Sequence, residues 1–300
     1  MIDKAIGVAL SLALLGASCA SAQTIFGAAY NGPNAPATLY IISPVNGAAT
    51  VVGPIGAATV SSMAFAPDGV TLYGVGIVGG VGGPFTLLRI NPSIGAGTAI
   101  GPTNLSGPCQ DMAFRSDGKL FCYSSGSIYT LNINTGAATL VGNTGDFPDG
   151  DALAFSSGSI LYTANERELD SVNQSTGAIT LVVHLNYSPA FGGFSRASAM
   201  KFHPNGTLYA SVITGSNSAA DISIQSGAGS LGIINISTGA VTRVGPTVAG
   251  LDALAISTQT IVPNPSSVPA PSSWLLVVTG LALVVVYFAG SRRVRSWLSS

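Results

Sequence analysis

One pattern recurs five times between residues 24 and 258, and it constrains the chain more than any other feature. Each copy is a short apolar strand, and in four copies a turn follows at once. The copies are Met63-Ala64-Phe65-Ala66-Pro67-Asp68-Gly69, Met112-Ala113-Phe114-Arg115-Ser116-Asp117-Gly118, Leu153-Ala154-Phe155-Ser156-Ser157-Gly158, Met200-Lys201-Phe202-His203-Pro204-Asn205-Gly206 and Leu254-Ala255-Ile256. Their first residues are 49, 41, 47 and 54 apart, close to the roughly 40–50 residues of a propeller blade. A second strand follows each turn: Leu72-Tyr73-Gly74, Leu120-Phe121-Cys122, Leu161-Tyr162-Thr163 and Leu208-Tyr209-Ala210. A third runs into another glycine turn, as at Tyr129 to Gly136 and Leu231 to Gly239. A fourth follows at Ala138 to Gly142 and Ala240 to Gly245. Four short strands in each of five units predict an all-β fold, a five-bladed β-propeller of four-stranded blades. A β-sandwich and an open solenoid are the alternatives.

The two ends of the repeat complement each other. Ala253 to Ile256 has no following strands, because a proline-rich stretch begins soon after. Ile25-Phe26-Gly27, Leu39 to Ile42 and Thr50 to Gly53 have no innermost strand of their own. One strand plus three completes a fifth blade, closing the ring and removing the exposed edges of an open sheet. Composition agrees. Charged residues are 8% of the chain, against about 25% in ordinary domains, too few to coat many amphipathic helices. Glycine (38) and proline (17) are abundant, as suits strands joined by tight turns. The formal net charge of −1 leaves no basic stripe for nucleic acid.

Both ends carry address-like segments. Residues 1–22 read as a secretory signal helix: Lys4 is the basic start, Ala5 to Leu15 the apolar core, and Ala20-Ser21-Ala22 the cleavage site. Cys19 raises lipidation as an alternative, although Gly16 stands where a lipobox has a large aliphatic residue. The propeller is assigned to residues 23–260. Residues 261–273 form a Pro/Ser linker. Residues 274–290 are uncharged and long enough for a transmembrane helix at the short end of the range. Residues 291–300 form a basic tail with Arg292, Arg293 and Arg295, which by the positive-inside rule stays cytoplasmic and acts as a stop-transfer signal.

Val268-Pro269-Ala270-Pro271-Ser272-Ser273-Trp274, the apolar run and the arginine cluster together resemble the PEP-CTERM sorting signal of bacterial exoproteins. The usual motif has Glu between the two prolines, where this chain has Ala270. The resemblance covers about 30 residues at the C-terminus. It implies export through the Sec translocon, a membrane-anchored stage, and recognition of the Pro-Ala-Pro segment by an exosortase-type transpeptidase. Release or attachment at the cell surface would follow, often alongside exopolysaccharide and biofilm matrix.

Candidate chemistry is sparse. His184 falls in a predicted fourth strand and His203 in a turn, and neither has metal-ligand spacing to a neighbour. No G-x-S-x-G elbow occurs. Asp146, Asp149 and Asp151 put three carboxylates in six residues of a Gly-containing loop, an oxygen-rich arrangement that suits calcium as the one candidate cofactor. Asp151 and Asp252 share one place in the repeat, with Ser61, Gln110 and Ser198 in the other copies and Asp111 one position later. These predict a polar collar at a channel mouth. Export would permit a Cys109–Cys122 disulfide. A two-residue Asp117-Gly118 turn, however, pairs Ala113 with Cys122 and leaves Cys109 four residues further on, about 13 Å away, beyond bridging range unless a bulge brings it back. The expected molecule is an exported cell-surface or matrix propeller, non-catalytic, binding polysaccharide or other exoproteins or serving structurally. The alternative is an extracellular propeller enzyme of lyase or lactone hydrolase type, with a metal or carboxylate site at the channel mouth.

Overall fold

The computed structural model describes residues 23–32, 35–80, 82–145, 152–215 and 228–261. The chain opens with β1 (Ile25–Ala29), β2 (Thr38–Ile42) and β3 (Ala49–Pro54). Blade 1 is β4 (Thr59–Phe65), β5 (Leu72–Ile77), β6 (Phe85–Ile90) and β7 (Gly97–Pro102). Blade 2 is β8 (Asp111–Phe114), β9 (Leu120–Ser124), β10 (Ser127–Leu131) and β11 (Ala138–Asn143). Blade 3 is β12 (Ala152–Phe155), β13 (Leu161–Ala164), β14 (Glu168–Val172) and β15 (Ile179–His184). A two-residue strand β16 (Asn186–Tyr187) precedes blade 4, which is β17 (Phe194–Phe202), β18 (Leu208–Gly215), β19 (Ala228–Ile234) and β20 (Ala240–Pro246). Finally β21 (Leu251–Ile256) pairs antiparallel with β1, so blade 5 has the order β21-β1-β2-β3. The five-bladed propeller expected from the repeat is therefore present, closed by strands from both ends of the chain. Blade 4 departs slightly from four strands, because β16 adds to the outer edge of β20 in parallel.

Each seam is stitched by the residues that make the repeat visible. The Phe ending an innermost strand packs on the aromatic residue of the preceding blade's second strand. Ring centroids are 5.5 Å apart for Phe65 on Phe26 and for Phe114 on Tyr73. They are 5.4 Å apart for Phe155 on Phe121 and 5.8 Å for Phe202 on Tyr162. Ile256 takes the fifth place, in one cluster with Tyr209. Such aromatic pairs add about 0.5–1.5 kcal/mol each beyond area burial. At the circumference the outer hairpins meet the neighbouring outer strand backbone to backbone. Gly101 lies against Thr135 and Gly136, and a Cβ on Gly101 would strike the Thr135 carbonyl. Gly136 is also left-handed, φ 83°, so it must be glycine for two independent reasons. Gly53 with Gly95, Gly142 with Gly177 and Gly245 with Gly47 repeat the contact. At the remaining seam Gly239 meets the carbonyl of His184.

The hairpins correct one expectation. In blade 2 the Arg115 N–H donates to the Lys119 carbonyl at 2.9 Å and the Gly118 N–H to the Arg115 carbonyl at 3.0 Å. The loop thus holds three residues, not two. Gly118 has φ 88°, with Ser159 (59°) and Gly206 (90°) at the matching places. A type I turn closed by a left-handed residue also suits strand twist. Met112, not Ala113, therefore faces Cys122. The chain before β8 also curls back, the Gln110 N–H donating to the Tyr123 carbonyl at 2.8 Å. Cys109 and Cys122 then lie 5.8 Å apart at Cα and form a disulfide, contrary to the separation expected for a straight strand. Both are fully buried.

Candidate functional site

The channel edge of an innermost strand has no neighbouring strand, so its inward N–H and C=O groups need other partners. Asp111, at the start of β8, supplies many of them. Its Oδ1 accepts from the Met112 N–H at 2.8 Å. Its Oδ2 accepts from Leu153 N–H at 2.8 Å and Met200 N–H at 3.1 Å. One carboxylate thereby binds the innermost strands of blades 2, 3 and 4. Lys201 is its counter-ion. The Nζ lies 2.6 Å from Oδ1 and 2.8 Å from Oδ2, and donates to the carbonyls of Met200 at 2.9 Å and Leu153 at 3.2 Å. Asp111 is completely buried and the Lys201 side chain is 10% exposed. Burial pushes the Asp111 carboxyl up to about 6, although Lys201 and the two amides on Oδ2 pull it down. Burial likewise pushes the Lys201 ammonium down, against the pull of Asp111.

Lys201 forms part of the wall of a funnel of about 410 Å³ at the hairpin end of the channel. Phe65, Phe114, Phe155, Phe202 and Ile256 ring it, one from each blade, and Ala64, Ala113 and Ala154 lie one residue behind them in the strands. At the rim, Arg115 pairs with Asp117 (2.6 Å) and reaches Gln174 of blade 3 at 2.9 Å. The Arg115 guanidinium holds the Asp117 carboxyl down at about 2. Beside the funnel the chain ends its described course. The Ser257 hydroxyl donates to the Gly69 carbonyl at 2.7 Å and latches the last strand onto blade 1.

Of the residues expected to form a collar, Ser61, Ser198, Gln110 and Asp252 lie among the described residues. Ser61, Ser198 and Asp252 each sit at an irregularity of their innermost strand, where a bulge turns the residue out of the ladder. The Ser61 hydroxyl donates to the Cys109 carbonyl at 2.8 Å. The Ser198 hydroxyl contacts the Leu251 carbonyl at 3.5 Å. Both bonds tie one blade to the next, and both serines are buried. The Gln110 side chain accepts from the Ser125 N–H at 2.9 Å. His184 is exposed, 3.3 Å from Glu168. His203 lies on the funnel wall, its Nδ1 accepting from the Asn205 N–H at 3.3 Å. Asp146, Asp149 and Asp151, Ala20 and Ala22, residues 268–273 and Arg292, Arg293 and Arg295 lie outside the described residues. Among the described residues no group of three His, Cys, Asp or Glu could hold a metal ion. Among them, too, no helix is long and apolar enough to cross a membrane.

Lys201 is the residue that motif reading passed over, yet its signal is present. In the five innermost strands its place holds Ala64, Ala113, Ala154 and Ala255. A lysine in a column of alanines, at a buried position of its strand, requires a buried counter-charge.

No protein-family model matches this sequence, and no curated protein does. Solved structures do share its fold. A chain of the nidogen/laminin complex is similar over 80% of this chain and 99% of its own length, with TM-score 0.50 and 11% identity. TolB from Acinetobacter baumannii is similar over 76% of this chain and 54% of its own, with TM-score 0.45 and 17% identity. At 11% identity the nidogen/laminin likeness bears on fold alone, and the weaker TolB likeness carries no argument.

Proposed function

We propose that this chain is an exported propeller scaffold of the bacterial cell surface or matrix. On this reading it binds exopolysaccharide or other exoproteins, or acts structurally, without catalysis. The observation that carries the reading is the Cys109–Cys122 disulfide, since such bridges persist in oxidising compartments outside the cytosol. It agrees with the signal-like residues 1–22 and with the Pro/Ser, apolar and arginine segments after residue 261. The channel supports a scaffold role as well. The Asp111 carboxylate, the strongest acid–base candidate, is enclosed by three amides and an ammonium that hold blades together. The Sec translocon would export the chain. Residues 274–290, with Arg292, Arg293 and Arg295, would hold it in the membrane until an exosortase-type enzyme acts near Pro269-Ala270-Pro271. Fractionation of cells making the full chain tests this. The expected result is surface or medium protein whose two mature cysteines resist alkylation until reduced, with the Pro269→Ala/Pro271→Ala variant trapped in the membrane. Cytosolic protein with two free thiols would sink the proposal.

A further inference from the structure

The funnel at the hairpin end of the channel combines two kinds of surface. In four blades the residue after the innermost phenylalanine closes the ladder. The N–H groups of Ala66, Arg115, Ser156 and His203 donate to the carbonyls of Thr71, Lys119, Ile160 and Thr207 at 2.8–2.9 Å. In blade 5 the Ser257 N–H donates to the Thr24 carbonyl at 3.0 Å. Antiparallel ladders alternate. The residue before each of these, Phe65, Phe114, Phe155, Phe202 or Ile256, therefore turns its own N–H and C=O away from the second strand and towards the axis. The same five residues ring the funnel. Its wall is thus largely aromatic, and every blade adds one backbone donor and one backbone acceptor facing inward.

The funnel offers no free charge. Among the described residues that line it there is no Asp or Glu. Lys201 is paired with Asp111 and Arg115 with Asp117. His203 accepts the Asn205 N–H on Nδ1, which leaves its one ring proton on Nε2. A charged ligand would give up its hydration shell for groups already paired, at a net cost. A hydroxyl group donates and accepts at once. It can replace water at a neighbouring N–H and C=O without losing a bond. The C–H face of a sugar ring also suits the negative face of an aromatic ring. A volume of about 410 Å³ falls within the roughly 300–1,000 Å³ of small-ligand pockets. Deeper in, the Asp111–Lys201 pair joins three innermost strands across the axis, so a chain can enter end-on but not thread through.

We propose that the funnel binds the terminal unit of an uncharged polysaccharide. Sugar hydroxyls meet the inward N–H and C=O groups, and sugar C–H faces lie on the phenylalanine rings. This rests on the exported-scaffold reading for the source of the ligand, and gives that reading a site and a ligand class.

The test is hydrogen exchange read by mass spectrometry on the full-length protein, with and without saturating trisaccharide. Cellotriose, laminaritriose and maltotriose are the neutral probes, and trigalacturonic acid is the charged control. The expected result is severalfold slower exchange at the Phe65, Phe114, Phe155 and Phe202 amides with at least one neutral probe, and no change with the charged one. The Ser116→Trp/Ser157→Trp variant crowds the mouth at two exposed lining positions. It should lose the protection while melting like the parent. Unchanged exchange in the parent with every neutral probe would overturn the proposal whatever the variant does. So would equal protection by trigalacturonic acid, or protection that survives in a folded rim variant. The readout does not depend on where the cell puts the protein. A surface protein whose funnel stays unprotected would end this inference and leave the exported scaffold standing.

Discussion

The two sides of the ring are held by different means. Blades 2, 3 and 4 share a central fastening, in which one buried carboxyl and one buried amine bind three innermost strands at once. Blade 5 takes bonds from blade 4 at its innermost strand, where the Ser198 and Ser211 hydroxyls meet the Leu251 carbonyl. It is completed by strand exchange between the chain ends, with β21 beside β1 and Ser257 latched to Gly69 of blade 1. Where the chain runs on from blade 2 to blade 4, a polar fastening ties the innermost strands together. Where the ring must shut, the chain's own topology does it, and closure is as strong as a four-stranded sheet.

Removing residues 24–55 should have the largest effect, because it strips β1, β2 and β3 from β21. The expected outcome is loss of the cooperative melt of the whole domain, read by circular dichroism. A near-parental melt would mean that the blades stand without closure.

On the other side, Lys201→Met should cost about 3–5 kcal/mol, since it strands a buried carboxylate. Chemical denaturation measures this. Pairing it with Asp111→Leu should recover part of the loss, because a buried charge pair replaced by apolar groups is tolerated better than half a pair. If the single variant were as stable as the parent, the axis would not be a fastening.

Replacing Cys109 and Cys122 with serine should cost about 2–4 kcal/mol. The loss should show equally in the reduced parent. Because the bridge lies within blade 2, the damage should appear first as faster hydrogen exchange in β8 and β9, while β21 and β1 stay protected.

Ser257→Ala should cost only about 1–3 kcal/mol, since the hydroxyl's bond to Gly69 and the one it accepts from the Gln259 N–H are both lost, and the loosening should appear at the blade 5 to blade 1 seam.

The smallest effect is at the funnel rim. The Asp117 carboxyl is held down at about 2 by its hydrogen bonds from Arg115. Its contribution is therefore present above the unfolded value near 4 and is lost as pH falls through about 2. NMR titration should find the midpoint there, and Arg115→Ala should move it back up towards the ordinary range. An unmoved midpoint would remove Arg115 as the cause.

The comparison also separates what could be read in advance from what could not. Strand number, blade number and the sharing of the fifth blade were written in the spacing of Met63, Met112, Leu153, Met200 and Leu254 and in the orphan strands at either end. Those features are local and periodic, and a repeat states them five times. The hairpin register differs by one residue from the expected one because Asp-Gly fits both a two-residue turn and the last two places of a three-residue one. That single step hid the disulfide. Glycine and aromatic positions were legible as repeat letters, but their purpose was not. Gly101 against Gly136, and Phe114 on Tyr73, are contacts between neighbouring units, which a sequence aligned on itself does not display.

By itself the sequence determined an all-β ring, because periodic apolar strands separated by glycine turns have few other ways to bury their faces. It also determined the two terminal segments that motivate export. Only the tertiary structure decided that Asp111 belongs with Lys201, the two being 90 residues and two blades apart. Closing the ring is what brings the unpaired edges of β8, β12 and β17 around one axis. Their free N–H and C=O groups then select a carboxyl and an amine to sit among them.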